Sequence, residues 1–307
     1  MTDTEFLHRN CPCCGSASRR GEVHCRNRAE DMTLDALRPY WAGFHTERRF
    51  FSYHRCGDCG LLFAPVFFTD VQLQELYSQL APNMEEEAGG DAITATQRGY
   101  FDEAVRQGAP LSGSYIEIGP DVGHVTRIAA ERGTFDSFWL FEPNSAVHGA
   151  LAEATLGRPH TISTDMTDLS AVPDGSVGLA VMIHVLDHLL DPVSMLDQIR
   201  RKLRPGGALV AVTHNEKSAL RHVMGVRWPP YCLQHPEIYN PRSIVHLLRR
   251  AGYDAVTVTR SKNYFPLDFI AKQAVWTFGI RLERVPLPRF ALGLRLGNML
   301  TTARIAG

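Results

Sequence analysis

From Ser114 onward, short apolar runs alternate with segments whose apolar residues return every three or four positions. SYIEIG, SFWLFEP, HTIST, SVGLAVMIHV, GALVAVTHN and AVTVTR read as strands of a buried sheet. Between them, GHVTRIAAERG, SAVHGALAEATL, DPVSMLDQIRRKLRPGG and PRSIVHLLRRAGY predict amphipathic helices, the first closed by Gly133 and the third ending in Pro and Gly. Strands alternating with helices in this way predict an α/β fold, a mostly parallel sheet covered on both faces.

The flanks follow other patterns. Residues 67–109 read as helical: Asp70 can cap VQLQELYSQL, and a second helix runs near ATQRGYFDEAVRQ. An acidic, Gly-containing loop, PNMEEEAGGD, separates the two. Near the other end, Leu267 to Arg284 predicts a pair of amphipathic helices with Tyr264, Phe265, Phe269, Trp276 and Phe278 around it, before a last strand GNMLTTARIA. The expected organisation is therefore a cysteine-rich domain over 1–66, a helical linker or lid over 67–109, and the α/β domain over 110–307. That domain carries a loop at 216–240 and a helical insertion at 262–292.

Composition narrows the class. The chain has 307 residues, 44% hydrophobic and 21% charged, and a formal net charge of −1, so no global field draws it to nucleic acid or an anionic membrane. Residues 241–307 nevertheless hold eleven Lys and Arg against three Asp and Glu. That basic tail suits either a packed helical insertion or a surface for phosphate-bearing acceptors such as nucleotide- or lipid-linked sugars. The opening MTDTEFLHRN lacks a signal-peptide core and no apolar run approaches the roughly 20 residues that span a bilayer, so a cytoplasmic location is expected. Seven cysteines, an odd number including CxxC pairs, point in a reducing compartment to metal binding instead of disulfides.

The first strand ends in Glu117-Ile118-Gly119-Pro120-Asp121-Val122-Gly123 and runs straight into a helix. Glycines let a backbone approach a ligand there, and the helix start offers free N–H groups. Glu142 ends the second strand roughly 20 residues later, the place from which a carboxylate accepts from both hydroxyls of a ribose. Asp165-Met166-Thr167-Asp168-Leu169, Pro173-Asp174-Gly175-Ser176, then Val181-Met182-Ile183-His184-Val185-Leu186-Asp187-His188 with Asp191-Pro192, and Leu203 to Gly207, complete a longer string. It resembles the class I S-adenosylmethionine (SAM)-dependent methyltransferases over about 150 residues. The resemblance implies a Rossmann-like SAM methyltransferase sheet. It also implies that Glu117, Gly119 and Gly123 form the methionine-side loop, Glu142 holds the ribose, and Asp165 accepts from the adenine amino group beside the Met166 backbone. Ile183 and His184 would close over the cofactor. Two positions depart from the family: Asp121 stands at the middle glycine of GxGxG, where its carboxylate could reach the cofactor's amino group, and Gly178 replaces the Asp that usually opens strand four.

Cys11-Pro-Cys13-Cys14-Gly15 and Cys56-Gly57-Asp58-Cys59-Gly60 form two CxxCG knuckles, whose glycines permit the tight turns that gather four thiolates tetrahedrally. Cys11, Cys14, Cys56 and Cys59 are the expected ligands of a structural zinc. Cys13 is spare, and Cys25, His24 and His54 are weaker substitutes. A zinc knuckle pair, then GLLFAP, a helix with LY and a SAM domain, resembles bacterial methyltransferases of deoxysugar, polysaccharide and natural-product pathways that carry an N-terminal zinc-binding domain. Some of those have a further C-terminal domain of about a hundred residues, for which this chain ends too early, so the acceptor atom stays open.

Methyl transfer to a hydroxyl or carbon acid needs a base near the carboxyl ends of the strands, where ligands of open α/β sheets sit. His188, after the fourth strand, His214, at the end of the fifth, and His235, in RWPPYCLQHPEIYNP, are the candidates. Trp228, Tyr231 and Tyr239 could shape an acceptor pocket. The leading expectation is methyl transfer to a sugar or natural-product intermediate. A ribosomal RNA base methyltransferase with a zinc module is one alternative; against it, residues 1–60 carry nine basic and eight acidic residues where a basic face is needed, so no nucleic-acid partner is expected. A non-catalytic scaffold with the SAM fold is the other, motivated by Asp121 and Gly178.

Overall fold

Runs of β-branched and aromatic residues that are apolar at every position can form strands only where both faces are covered. Tyr115, Ile116, Phe138, Leu140, Ala180 and Met182 are all fully buried, as that pattern requires. The computed structural model describes residues 5–41, 48–77, 90–268, 271 and 291–305. In chain order, β1 (Leu7–His8), β2 (Arg19–Val23), α1 (Leu34–Leu37), β3 (Tyr53–Cys56), β4 (Leu62–Phe63) and β5 (Val66–Phe67) lead to α2 (Asp70–Tyr77) and α3 (Gly90–Arg106). Next come β6 (Ser112–Ile118), α4 (His124–Arg132), β7 (Thr134–Phe141), α5 (His148–Ala154), β8 (His160–Ser163), β9 (Val177–Ile183), α6 (Pro192–Lys202) and β10 (Leu203–His214). The rest holds α7 (Ala219–Met224), β11 (Glu237–Ile238), α8 (Pro241–Arg250), β12 (Ala255–Arg260), β13 (Asn263–Pro266), β14 (Ala291–Leu294) and β15 (Asn298–Arg304).

Seven strands make the central sheet in the order β12-β15-β10-β9-β6-β7-β8. β15 runs antiparallel to both β10 and β12, and the pairs β10·β9, β9·β6, β6·β7 and β7·β8 are parallel. The chain moves outward from β6 through β7 to β8, then returns to β9 on the other side. Ile118 lies level with Phe141 and Met182. The loops after β6, β7 and β9 thus open into one crevice, at the point where the strand order reverses and open α/β sheets take their ligands. The seven-stranded sheet with its helices is the Rossmann-like SAM methyltransferase fold expected.

A second sheet, β11-β4-β3-β2, is antiparallel, and its fourth strand comes from the segment after β10. Trp228, Tyr231, Leu233 and Ile238 of that segment pack with Phe50, Phe51, Tyr53, Phe67 and Phe68 in one buried cluster. The loop 216–240 therefore shares the core of the cysteine-rich region.

Local chemistry accounts for the helix ends. Asp191 caps α6 by accepting from the Ser194 N–H at 3.0 Å, with Pro192 in the first turn. Asn240 and Ser243 form a reciprocal capping box on α8. Three details differ from the sequence pattern. α6 stops at Lys202, because Pro205 keeps Arg204 out of the helical region and Leu203 pairs with Val177 instead. Residues 145–154 split into a 3₁₀ turn, Ser145–Val147, and α5. Within the expected helical insertion, Asn263–Pro266 and Ala291–Leu294 pair as an antiparallel hairpin. The acidic segment 82–89, with Phe269, Trp276 and Phe278, lies outside the described residues.

Candidate active site and cysteine cluster

The turn after β6 is shaped by backbone conformation. Gly119 and Gly123 have φ of +67° and +86°, and a Cβ on either would come within 3 Å of Val185 or of Ala154 and Leu151. Both glycines are thus required by packing against the next strand's loop and α5. Asp121 also sits at positive φ, 52°, a region that Asp tolerates better than most residues. Its N–H donates to Glu142 Oε2 at 2.9 Å, and the Asn144 N–H donates to Glu142 Oε1 at 2.8 Å. Glu142 therefore ties the turn to the end of β7, and a carboxylate has about four lone-pair sites, leaving two for ribose hydroxyls. α4 starts after Gly123, which gives it no side-chain cap, and a helix N-terminus favours a ligand carboxylate. These features fit a bound SAM.

Glu117 points inward: its Oε2 accepts from Tyr115 Oη at 2.8 Å and Thr126 Oγ1 at 2.6 Å, and burial pushes its carboxyl up to about 7. Asp165 is exposed beyond β8, where its Oδ1 accepts from the Thr167 N–H and hydroxyl. Met166 and Ile183 pack against the two faces of the central core. Gly178 has a steric cause, since a Cβ there would meet the Ser112 carbonyl oxygen at 1.9 Å.

Beyond the ends of β9 and β10 the structure brings His188, His214 and His235 together, with His184 added. Ring centroids of His184 and His214 are 4.8 Å apart, His188 and His235 4.6 Å, and His214 and His235 4.9 Å. His184 stands at φ +53°, its N–H bonded to the Val212 carbonyl at 2.8 Å, which aims its ring from β9 toward His214 at the end of β10. Tyr77 Oη lies 2.8 Å from His188 Nδ1, closing the cluster from α2. His235 Nδ1 is 2.9 Å from the Pro230 carbonyl and 3.2 Å from Cys232 Sγ. A carbonyl only accepts, so Nδ1 carries a proton, and Nε2 offers a lone pair only in the neutral ring.

Burial lowers His188 to about 3, helped by the charge of His235, and burial with the neighbouring His184 lowers His214. In His235 burial is outweighed by Cys232 and Asp187, which raise it to about 9. Burial would raise Asp187, but His214, His235, His188 and His184 hold it below the usual carboxylate range. Asp187, Tyr77, Cys232 and Asn298 were not singled out from the sequence. Asp187 stood inside the VLDH string and could have been, whereas nothing local marks Asn298, which meets His184 and His214 across the sheet.

Cys11 and Cys59 sulfurs are 3.5 Å apart, as are those of Cys14 and Cys56, and all four lie within 4.8 Å of one another. A tetrahedron with Zn–S bonds of about 2.3 Å has edges of about 3.8 Å, so the set fits a zinc ion. Cys13 turns instead to the Ser243 carbonyl, and Cys25 to Ser52. Buried ion pairs join this region to the histidine loop. Arg9 pairs with Glu237 at 2.9 Å, and Arg55 bridges Glu22 at 2.6 Å and Glu216 at 2.5 Å.

Residues 84–258 match the family model described as a methyltransferase domain. The chain belongs to that family. This methyltransferase is 25% identical over 178 residues to a ubiquinone biosynthesis O-methyltransferase of Cereibacter sphaeroides (strain ATCC 17025 / ATH 2.4.3), covering 54% of this chain and 70% of that one. It is 26% identical over the same length, with the same coverage, to the protein of that name from Roseobacter denitrificans. Among solved structures, a SAM-dependent methyltransferase of Leishmania major aligns with a TM-score of 0.48 at 13% identity, covering 76% of this chain and 81% of that one. Among the described residues of the methyltransferase, no helix is long and apolar enough to cross a membrane.

Proposed function

We propose that the methyltransferase moves the methyl group of SAM to a hydroxyl of a small-molecule acceptor, a sugar or natural-product intermediate, with His235 as the base. Bound in the crevice after β6, β7 and β9, SAM supplies an electrophilic methyl on a sulfonium. Glu142 would hold the ribose, the start of α4 the carboxylate, and Asp165 the adenine edge. One observation carries the reading. The imidazoles of His188, His214 and His235 converge beyond the ends of β9 and β10, where His235 Nε2 can take a hydroxyl proton once the ring, raised to about 9, has lost its own. The names of the ubiquinone O-methyltransferases at 25–26% identity favour an oxygen acceptor. Trp228 and Tyr231, buried side chains of the same loop, would flank the acceptor.

We further propose that Cys11, Cys14, Cys56 and Cys59 hold a structural zinc. Four sulfurs leave no open position for chemistry. Its role would be to brace β3 and β4, onto which β11 and the His235 loop are built.

The purified chain, incubated with SAM and a panel of nucleotide sugars, glycosides and phenols, should convert one class to a product heavier by one methylene, read by mass spectrometry. Absence of SAM binding in a calorimetric titration would sink the reading.

A further inference from the structure

One buried and three half-buried histidines around one buried aspartate are more than a proton-transfer site needs. Asp187 is completely buried, yet only its Oδ2 is engaged, accepting from the His214 N–H at 3.1 Å. Among the described residues, Asp187 Oδ1 and His184 Nδ1 are buried without a hydrogen-bond partner. A buried polar atom left without a partner is destabilising, so two such atoms in one cluster call for a ligand. One ligand atom from each of His184, Asp187 and His214 lies within 4.8 Å of the others.

We propose that His184, Asp187 and His214 form a second metal site, distinct from the cysteine cluster, that binds a divalent transition-metal ion. Two imidazoles and one carboxylate on one side of an ion, with the remaining positions open, suit iron(II), manganese, cobalt or zinc. The four-sulfur cluster has the opposite character, soft and closed. For His214, Asn298 supplies the outer support that metal-bound imidazoles usually have. Its Oδ1 is 3.1 Å from His214 Nδ1 and its amide nitrogen 3.1 Å from His184 Nε2. Ligation by His184 Nδ1 places that ring's proton on Nε2, so the Asn298 amide nitrogen, a donor, has to turn away from it when the metal binds. The left-handed backbone at His184 is a further cost that a ligand contact would offset. With the acceptor placed beside these histidines, an acceptor oxygen is the expected further ligand. This last step rests on the proposed function; the metal site itself does not.

The test is metal stoichiometry. The full-length, zinc-loaded chain is dialysed against manganese(II) or cobalt(II) and analysed by elemental mass spectrometry and calorimetry. The expected result is a second equivalent of metal per chain, with cobalt giving weak ligand-field bands and no added sulfur-to-metal charge transfer. His184→Asn, which tolerates the left-handed backbone, and His214→Gln should each weaken uptake tenfold or more while the four-sulfur metal stays bound. Uptake of no second equivalent by the wild-type chain, the outcome expected if only water fills the cluster, overturns the site, as does uptake indifferent to both substitutions. The wild-type stoichiometry decides even if a variant misfolds. SAM titration of the same sample separates this failure from failure of the methyltransferase reading.

Discussion

Tyr53 Oη donates to the carbonyl oxygen of His235 at 2.8 Å, joining residues 182 apart in sequence. The same hydroxyl lies 3.2 Å from the Cys232 carbonyl. A strand of the cysteine-rich region thus holds both ends of the turn that aims His235. Tyr53→Phe removes the donor and keeps the ring, so stability should fall by about 1–2 kcal/mol. Methyl transfer should slow several-fold while the SAM dissociation constant, measured by calorimetry, stays put. A loss confined to SAM binding would contradict this linkage.

His235→Gln keeps polarity but has no lone pair of comparable basicity at Nε2. Turnover on the identified acceptor should drop about 10²-fold or more. His188→Gln, whose ring is held by Tyr77 and lowered by burial, should cost less. Equal, near-normal rates in both variants would remove the base from His235.

Glu142 accepts two backbone N–H groups and links the turn after β6 to β7. Glu142→Gln leaves the carbonyl oxygen to accept one of them but loses the charge and half the acceptors. SAM affinity should weaken by at least tenfold, about 1.4 kcal/mol, with the melting temperature lowered by a few degrees. Unchanged affinity would separate Glu142 from the ribose.

Glu117 links pH to stability. Its folded carboxyl is raised by burial from 4.5 to about 7, so the folded state binds the extra proton. The associated stability is fully present below the unfolded value and is lost as pH rises through about 7. The difference is on the order of 3 kcal/mol at about 1.4 kcal/mol per unit. In urea unfolding from pH 5 to pH 8, the stability of the wild-type chain relative to Glu117→Gln, which can still accept from Tyr115 and Thr126, should decline, whatever the buried histidines contribute to both. A wild-type-minus-variant difference that rises over this range would reverse the assigned sign.

Removal of the cysteine-bound metal should propagate past the knuckles. A strong chelator, or Cys56→Ser, is expected to lower the melting temperature and suppress methyl transfer together, because β4 pairs with β11 immediately before the helix-capping Asn240. Full activity after verified metal loss would dissociate the two.

By itself the sequence determined the strand–helix alternation, the glycine turn after β6, the carboxylate at 142 and the paired CxxCG knuckles. Each is written in a contiguous stretch, since periodicity, caps and tight turns depend on near neighbours. Tertiary structure alone decided that residues 237–238 complete the N-terminal sheet, that 263–266 pairs with 291–294, and that Gly178 makes room for the Ser112 carbonyl. It also decided which histidines meet: Tyr77, His184, His188, His214, His235 and Asn298 come from α2, two strand ends, a long loop and β15. Only sheet register and the packing of two cores set those distances, and neither leaves a local pattern in the chain.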